Sequence, residues 1–178
     1  MHRLFPSQQP NEKIELVVRE HWFFLVTRLL VVVGLFILLL VAQTYGPSVV
    51  PALFTGTAAK VMSLLSQLFV LILIFGTFLI WVFYYLNIQI VTNLRIVDID
   101  QYGLFSRSIS ELHIDKIEDV TSEAHGPFAT IFGFGNVYVQ TAGAVDRFEF
   151  DRVPMPEHIV KLVLDLYEKR PQTTAGKT

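Results

Sequence analysis

Apolar residues run almost unbroken twice in the first half of the chain: WFFLVTRLLVVVGLFILLLVA over Trp22–Ala42 and LFVLILIFGTFLIWVFYYL over Leu68–Leu86. A helix needs about 20 apolar residues to cross a bilayer core, and each run supplies that length. The milder VMSLLSQ before the second run extends it, so the pattern predicts spans at 22–42 and 64–86 with an outside loop at 43–60. That loop, QTYGPSVVPALFTGTAAK, is too short and bland to be a domain. The first 21 residues are polar and include Glu12, Glu15 and Glu20. They lack the basic start and short apolar stretch of a secretory signal, so the first run is expected to remain as a helix.

The residues within and beside the runs set an orientation. Trp22 opens the first run, and Trp81, Tyr84 and Tyr85 close the second, the same side of a helical hairpin. Aromatic belts sit at such interfaces. Arg3, Lys13, Arg19 and Arg28 lie at that end, whereas the connecting loop carries Lys60 alone. The positive-inside rule then places both termini in the cytoplasm. Arg28 stands roughly 9 Å along the helix from Trp22, within reach of the headgroups for a snorkelling side chain. Ser63, Ser66, Gln67 and Thr77 offer hydrogen bonds to another helix. Gly34 and Gly76 stand alone, without a GxxxG spacing.

From Asn87 the period changes to two. NIQIVT, LRIVDID and SISELHI alternate apolar and polar residues and are rich in β-branched ones, the pattern of strands. Ile88, Ile90, Ile96, Ile99, Ile109, Leu112 and Ile114 are the expected inward set. Thr92-Asn93 and Gln101-Tyr102-Gly103 supply turns. Further strands are predicted at Ile117–Ser122, Asn136–Thr141 and Val145–Phe150, the last two joined by a hairpin at TAGA. Asp115–Asp119 is open to a helical start instead. Pro156–Lys169 then places Ile159, Val160, Leu162, Val163, Leu166 and Tyr167 at helical spacing, with Glu157 early and Lys169 late. The polar tail 171–178 is expected to be disordered. The predicted class is a transmembrane helical hairpin plus an α+β cytoplasmic domain over 87–170, a bent antiparallel sheet with a C-terminal capping helix.

Composition narrows the chemistry. The chain has 178 residues, 52% of them hydrophobic, and no cysteine, which excludes disulfides and thiolate metal sites. A net charge of −2 excludes a globally basic nucleic-acid binder.

The order of several short motifs resembles the bacterial pleckstrin-homology (PH)-like proteins, also called membrane-flanked. They are Tyr85…Ile90-Val91-Thr92-Asn93-Leu94-Arg95; Ile114-Asp115-Lys116-Ile117-Glu118-Asp119-Val120; Ile131-Phe132-Gly133-Phe134-Gly135-Asn136-Val137; Thr141-Ala142-Gly143; and Val153-Pro154 before a helix. Glu12-Lys13-Ile14 and Arg19-Glu20-His21-Trp22 are similar to the family's approach to its first helix. The resemblance implies a bent sheet of about seven strands capped by a helix, in a multi-pass protein of a bacterial cytoplasmic (inner) membrane. It implies no enzymatic activity.

The candidate sites are few. The glycine-rich stretch around Phe128–Phe134 lacks the GxxxxGK[ST] phosphate loop and reads as a helical turn, a tight bend and a core strand. His113, His125 and His158 have no metal-ligand spacing. Asp115, Glu118 and Asp119 read as a solvated acidic edge. No catalytic, metal or cofactor residues are assigned. From Asn87 to the end there are 9 basic and 13 acidic residues, a balance of −4, which argues against phosphoinositide recruitment. The expected function is a non-enzymatic membrane-anchored scaffold that self-assembles or binds a protein partner, with Phe128, Phe132 and Phe134 as a contact surface. The alternative is a lipid-binding or membrane-stress protein in which Arg28 and Arg95 face membrane lipid headgroups. No nucleic-acid partner is expected.

Overall fold

The structure is a computed structural model; it describes Gln9, residues 12–141 and residues 148–169. The chain divides into two compact units: Trp22–Tyr84, and the segments on either side of it.

The first unit is a pair of helices, α1 (Trp22–Val49) and α2 (Gly56–Leu86), joined by a short 3-10 turn at Pro51–Phe54. At about 1.5 Å per residue they run roughly 42 and 46 Å, more than the ~30 Å of a bilayer core. The expected loop over 43–60 is therefore mostly helix. Two polar residues of this stretch bond within α1: the Thr44 hydroxyl donates to the Leu40 carbonyl at 2.8 Å, and that of Ser48 to the Tyr45 carbonyl at 2.7 Å. α1 stops two residues after Pro47, whose missing N–H weakens the ladder there. The Phe54 ring packs on the backbone of Gly46, where a Cβ would meet it at 2.4 Å. α1 buries no residue and α2 buries only Leu73, so neither is the core helix of a soluble fold.

The second unit begins before the helices. β1 (Ile14–Val18) pairs antiparallel with β2 (Ile88–Thr92), followed by β3 (Arg95–Gln101) and β4 (Arg107–His113) in one sheet of order β1-β2-β3-β4. The N-terminal segment, expected to be separate from the domain, thus supplies its first strand. IELVV is too short and too charged to announce itself, and it becomes a strand by pairing with a partner beyond the helical hairpin. After a 3-10 turn at Ile114–Lys116 come β5 (Ile117–Glu123), the short helix α3 (Pro127–Phe132), β6 (Phe134–Thr141) and β7 (Phe148–Pro154), a second sheet of order β5-β6-β7. The region left open at Asp115–Asp119 is resolved as that turn running into a strand. α4 (Pro156–Glu168) closes the chain. The predicted TAGA hairpin and the tail 171–178 lie outside the described residues, except for Thr141.

One core joins both sheets and α4. It contains Val91, Ile96 and Leu112 from the first sheet, Val120, Val137, Val139, Phe150 and Val153 from the second, and Ile159 and Val163 from α4. The expected inward set is divided. Ile96, Leu112 and Ile114 enter this core, but Ile90 and Ile99, with Val97, form a second cluster against which Ile88 packs. Ile96 and Ile99 differ by an odd number of residues and so cannot share a face; the register pairs Val91 with Ile96 and Ile88 with Ile99. Ile109, also expected inside, is exposed on the edge strand β4.

The glycine-rich stretch has the structural role the sequence indicated. Gly133 takes φ 69° and caps α3 in the left-handed conformation, which glycine adopts without penalty. Gly135 sits against the end of β5, where a Cβ would lie 2.5 Å from the Glu123 carbonyl oxygen. Gly135→Ala is expected to destabilise the domain by about 1–3 kcal/mol, read as a lower unfolding temperature of the full chain in detergent. Gly103→Ala, which meets nothing within 4 Å, serves as the neutral comparison.

Candidate functional site

The turn between β2 and β3 anchors the start of the chain. The Thr92 hydroxyl oxygen accepts from the N–H groups of Leu94 (3.2 Å) and Arg95 (3.0 Å). It also lies 2.9 Å from Glu12 Oε1 and 2.8 Å from the Arg95 carbonyl, donating to one at a time. Asn93 exchanges backbone and side-chain bonds with Lys13: its N–H donates to the Lys13 carbonyl at 3.1 Å and its Oδ1 accepts from the Lys13 N–H at 2.9 Å. Arg95 donates through Nε and Nη2 to the two oxygens of Glu12, both at 2.9 Å, and through Nη1 to Glu111. Glu12, Thr92 and Arg95 are all buried. Burial pushes the Glu12 carboxyl up, but the hydrogen bonds from Arg95, Gln9 and Thr92 outweigh it and hold it below the usual range. The Glu12 hydrogen bonds hold the Arg95 guanidinium charged. Arg95, a headgroup contact in the alternative reading, is enclosed here; a buried arginine requires a partner, and the sequence does not mark Glu12 as that partner. Arg28 lies half-buried on α1.

The exit toward α1 is equally tied. The Arg19 guanidinium lies 5.2 Å from the Tyr85 ring centroid, a cation–π distance. Glu20 pairs with Arg152 at 3.3 Å. The His21 N–H donates to the Arg152 carbonyl at 2.8 Å, and its ring lies 5.4 Å from that of Phe134. Burial lowers the His21 pKa, which favours the neutral ring. Arg152 takes φ 52°, and its N–H donates to Asn136 Oδ1 at 2.9 Å.

A third group is titratable. Asp98 and Asp100 share a face of β3, opposite Ser110 and Ser108 of β4. Asp98 Oδ1 is buried without a hydrogen-bond partner among the described residues. Burial, reinforced by the Asp100 charge and only partly offset by Gln89, pushes the Asp98 carboxyl up to about 7. Asp115, Glu118 and Asp119 are exposed. Among the described residues no three His, Asp or Glu side chains are grouped to hold a metal.

Of the aromatic surface expected at Phe128, Phe132 and Phe134, the first two are exposed on α3 and the third is buried beneath His21. Ile131 of the same stretch is exposed too, and so are Tyr102, Leu104, Phe105 and Met155, which the sequence pattern does not single out. For Leu104 and Phe105 a signal is present: they are consecutive large apolar residues in a hairpin loop, where polar residues are the rule.

The Bacterial PH domain family profile matches residues 23–167, and the chain belongs to that family. A similar solved structure is that of a DUF1696 family protein with a pleckstrin-homology domain from Shewanella loihica PV-4. It is 18% identical, with a TM-score of 0.39 over 46% of this chain and 70% of that one. No curated protein matches the chain.

Two outcomes follow from the buried charges. Arg95→Met strands the Glu12 carboxylate and should cost about 3–5 kcal/mol at neutral pH, with Glu12→Gln added in the same chain recovering part of the loss; denaturant unfolding measures both. Asp98 works in the opposite sense. Its folded pKa of about 7 exceeds the ordinary 3.8, so its cost is absent below the lower value, grows through the interval and is complete above the upper one. Asp98→Asn should therefore raise the unfolding temperature at pH 8 and flatten its dependence between pH 4 and 7, by on the order of 1 kcal/mol after solvent screening.

Proposed function

We propose that this protein is a non-enzymatic membrane-anchored interaction module, with its PH-like domain held at the cytoplasmic face of the membrane by the α1–α2 hairpin. One observation carries the reading: the first two strands of the domain lie on either side of the hairpin in sequence and pair with each other. Its first strand precedes α1 and its second follows α2, so the sheet closes only when the chain has gone out through one apolar helix and back through the other. A leader cleaved after α1 would remove β1 with it. The exposure of apolar side chains along both helices supports membrane insertion, and the basic residues at the outer ends support cytoplasmic termini.

The interaction surface is the outer edge of β4. Among the described residues that strand pairs with β3 and with no other strand, and it exposes Ile109 and Ser110. An unpaired edge offers a row of N–H and C=O groups to an extended segment of another chain, which here is a protein partner or a second copy. The non-enzymatic reading is supported by the buried polar groups Glu12, Thr92 and Arg95, which are engaged with one another.

A photo-crosslinking residue in place of Ser110, in native membranes, is expected to give adducts of discrete mass. A residue placed at Glu157 on α4 should not. Absence of adducts at position 110, together with a monomeric particle in mild detergent, would overturn the proposal.

A further inference from the structure

The exposed apolar side chains of the sheet unit are unevenly distributed. Among its described residues, those more than half exposed are Tyr102, Leu104, Phe105, Phe128, Ile131 and Met155. They fall in three segments: the β3–β4 loop, α3, and the junction of β7 with α4. Phe105 is 99% exposed and Ile131 73%.

These segments share one relation to the chain path. The β3–β4 loop begins at Gln101, whose N–H donates to Asn87 Oδ1 at 2.7 Å, and Asn87 is the first residue after α2. α3 ends at Gly133, next to Phe134, which packs on His21, the last residue before α1. Met155 is tied to the same place, its N–H donating to the Gly133 carbonyl at 2.9 Å. The points of departure and return are themselves joined by Arg19 over Tyr85. The apolar segments thus surround the place where the chain leaves this unit for its apolar helices and comes back.

Negative charge avoids the two longer segments, and the first carries the cation Arg107. No Asp or Glu occurs from Gln101 to Ser110 or from Ala124 to Val145, although the region from Asn87 onward is acidic overall. An anionic lipid surface repels carboxylates, and an interface favours Tyr, Phe, Leu and Met. Exposed apolar patches of this kind mark contact sites.

We propose that the β3–β4 loop, α3 and Met155 form a rim that inserts into the headgroup layer of the membrane. The rim would hold the domain against the lipid surface. This inference rests on the reading that α1 and α2 span the bilayer.

The absence of cysteine allows single spin labels. Full-length Phe105→Cys, Ile131→Cys, Glu118→Cys and Leu38→Cys are labelled in vesicles of phosphatidylethanolamine and phosphatidylglycerol; Glu118 is exposed on β5, away from the rim. Accessibility to oxygen and to a water-soluble nickel chelate is then compared. Positions 105 and 131 are expected to favour oxygen at least threefold more than position 118, with position 38 highest. If 105 and 131 match 118 while 38 remains lipid-exposed, the rim is overturned and the membrane anchor stands. If 38 is also water-exposed, both fall. Low access to both reagents at 105 and 131 would mean that protein covers the rim, and would overturn lipid insertion.

Discussion

The pairing of β1 with β2 is the constraint on which the rest depends. The two strands are separated in sequence by the entire helical hairpin, yet they align antiparallel with Val18 opposite Gln89 and Ile14 opposite Thr92. Closing so long an excursion carries an entropic cost that rises slowly with length, and local propensity in five residues of β1 cannot meet it. The Glu12–Arg95–Glu111 network and the Lys13–Asn93 exchange hold one end of the pair, and the Glu20–Arg152 and His21–Phe134 contacts hold the other. Breaking an enclosed ion pair from one side is far more costly than its net contribution to folding suggests, so the network specifies where the N-terminal segment goes.

This arrangement gives the short motifs a physical account. The Thr-Asn-x-Arg run at Thr92–Arg95 is a turn whose side chains face the segment before α1: threonine closes the turn and approaches Glu12, asparagine holds Lys13, and arginine neutralises Glu12. The Phe-Gly-Phe-Gly run at Phe132–Gly135 is likewise structural. Its first glycine ends α3 in a left-handed conformation, its phenylalanine receives the His21 ring, and its second glycine allows β6 to approach β5. Both motifs fasten the departing and returning segments to the domain.

The domain is divided between internal bonding and exposed apolar surface. Among the described groups the buried Glu12 and Arg95 neutralise each other, whereas burial raises the Asp98 carboxyl and its Oδ1 has no hydrogen-bond partner. Its outward apolar residues gather instead at the end where the chain enters and leaves.

Much of this was determined by sequence alone. The helices, the strands from Ile88 to Thr141, the turns at Thr92-Asn93 and Gln101–Gly103, and the C-terminal helix all follow from period, turn chemistry and proline placement, because those signals act between neighbours in the chain. Tertiary structure decided what neighbours cannot specify. It made Glu12–Val18 part of the domain, divided the isoleucines of β2 and β3 between two faces, enclosed Arg95 and buried Phe134 while leaving Phe128 outside. Each outcome depends on a partner far away in sequence: a strand across the hairpin, a carboxylate, or a histidine at the start of α1. Periodicity indicates that a residue wants a partner or a core, and only the folded chain determines which one it receives.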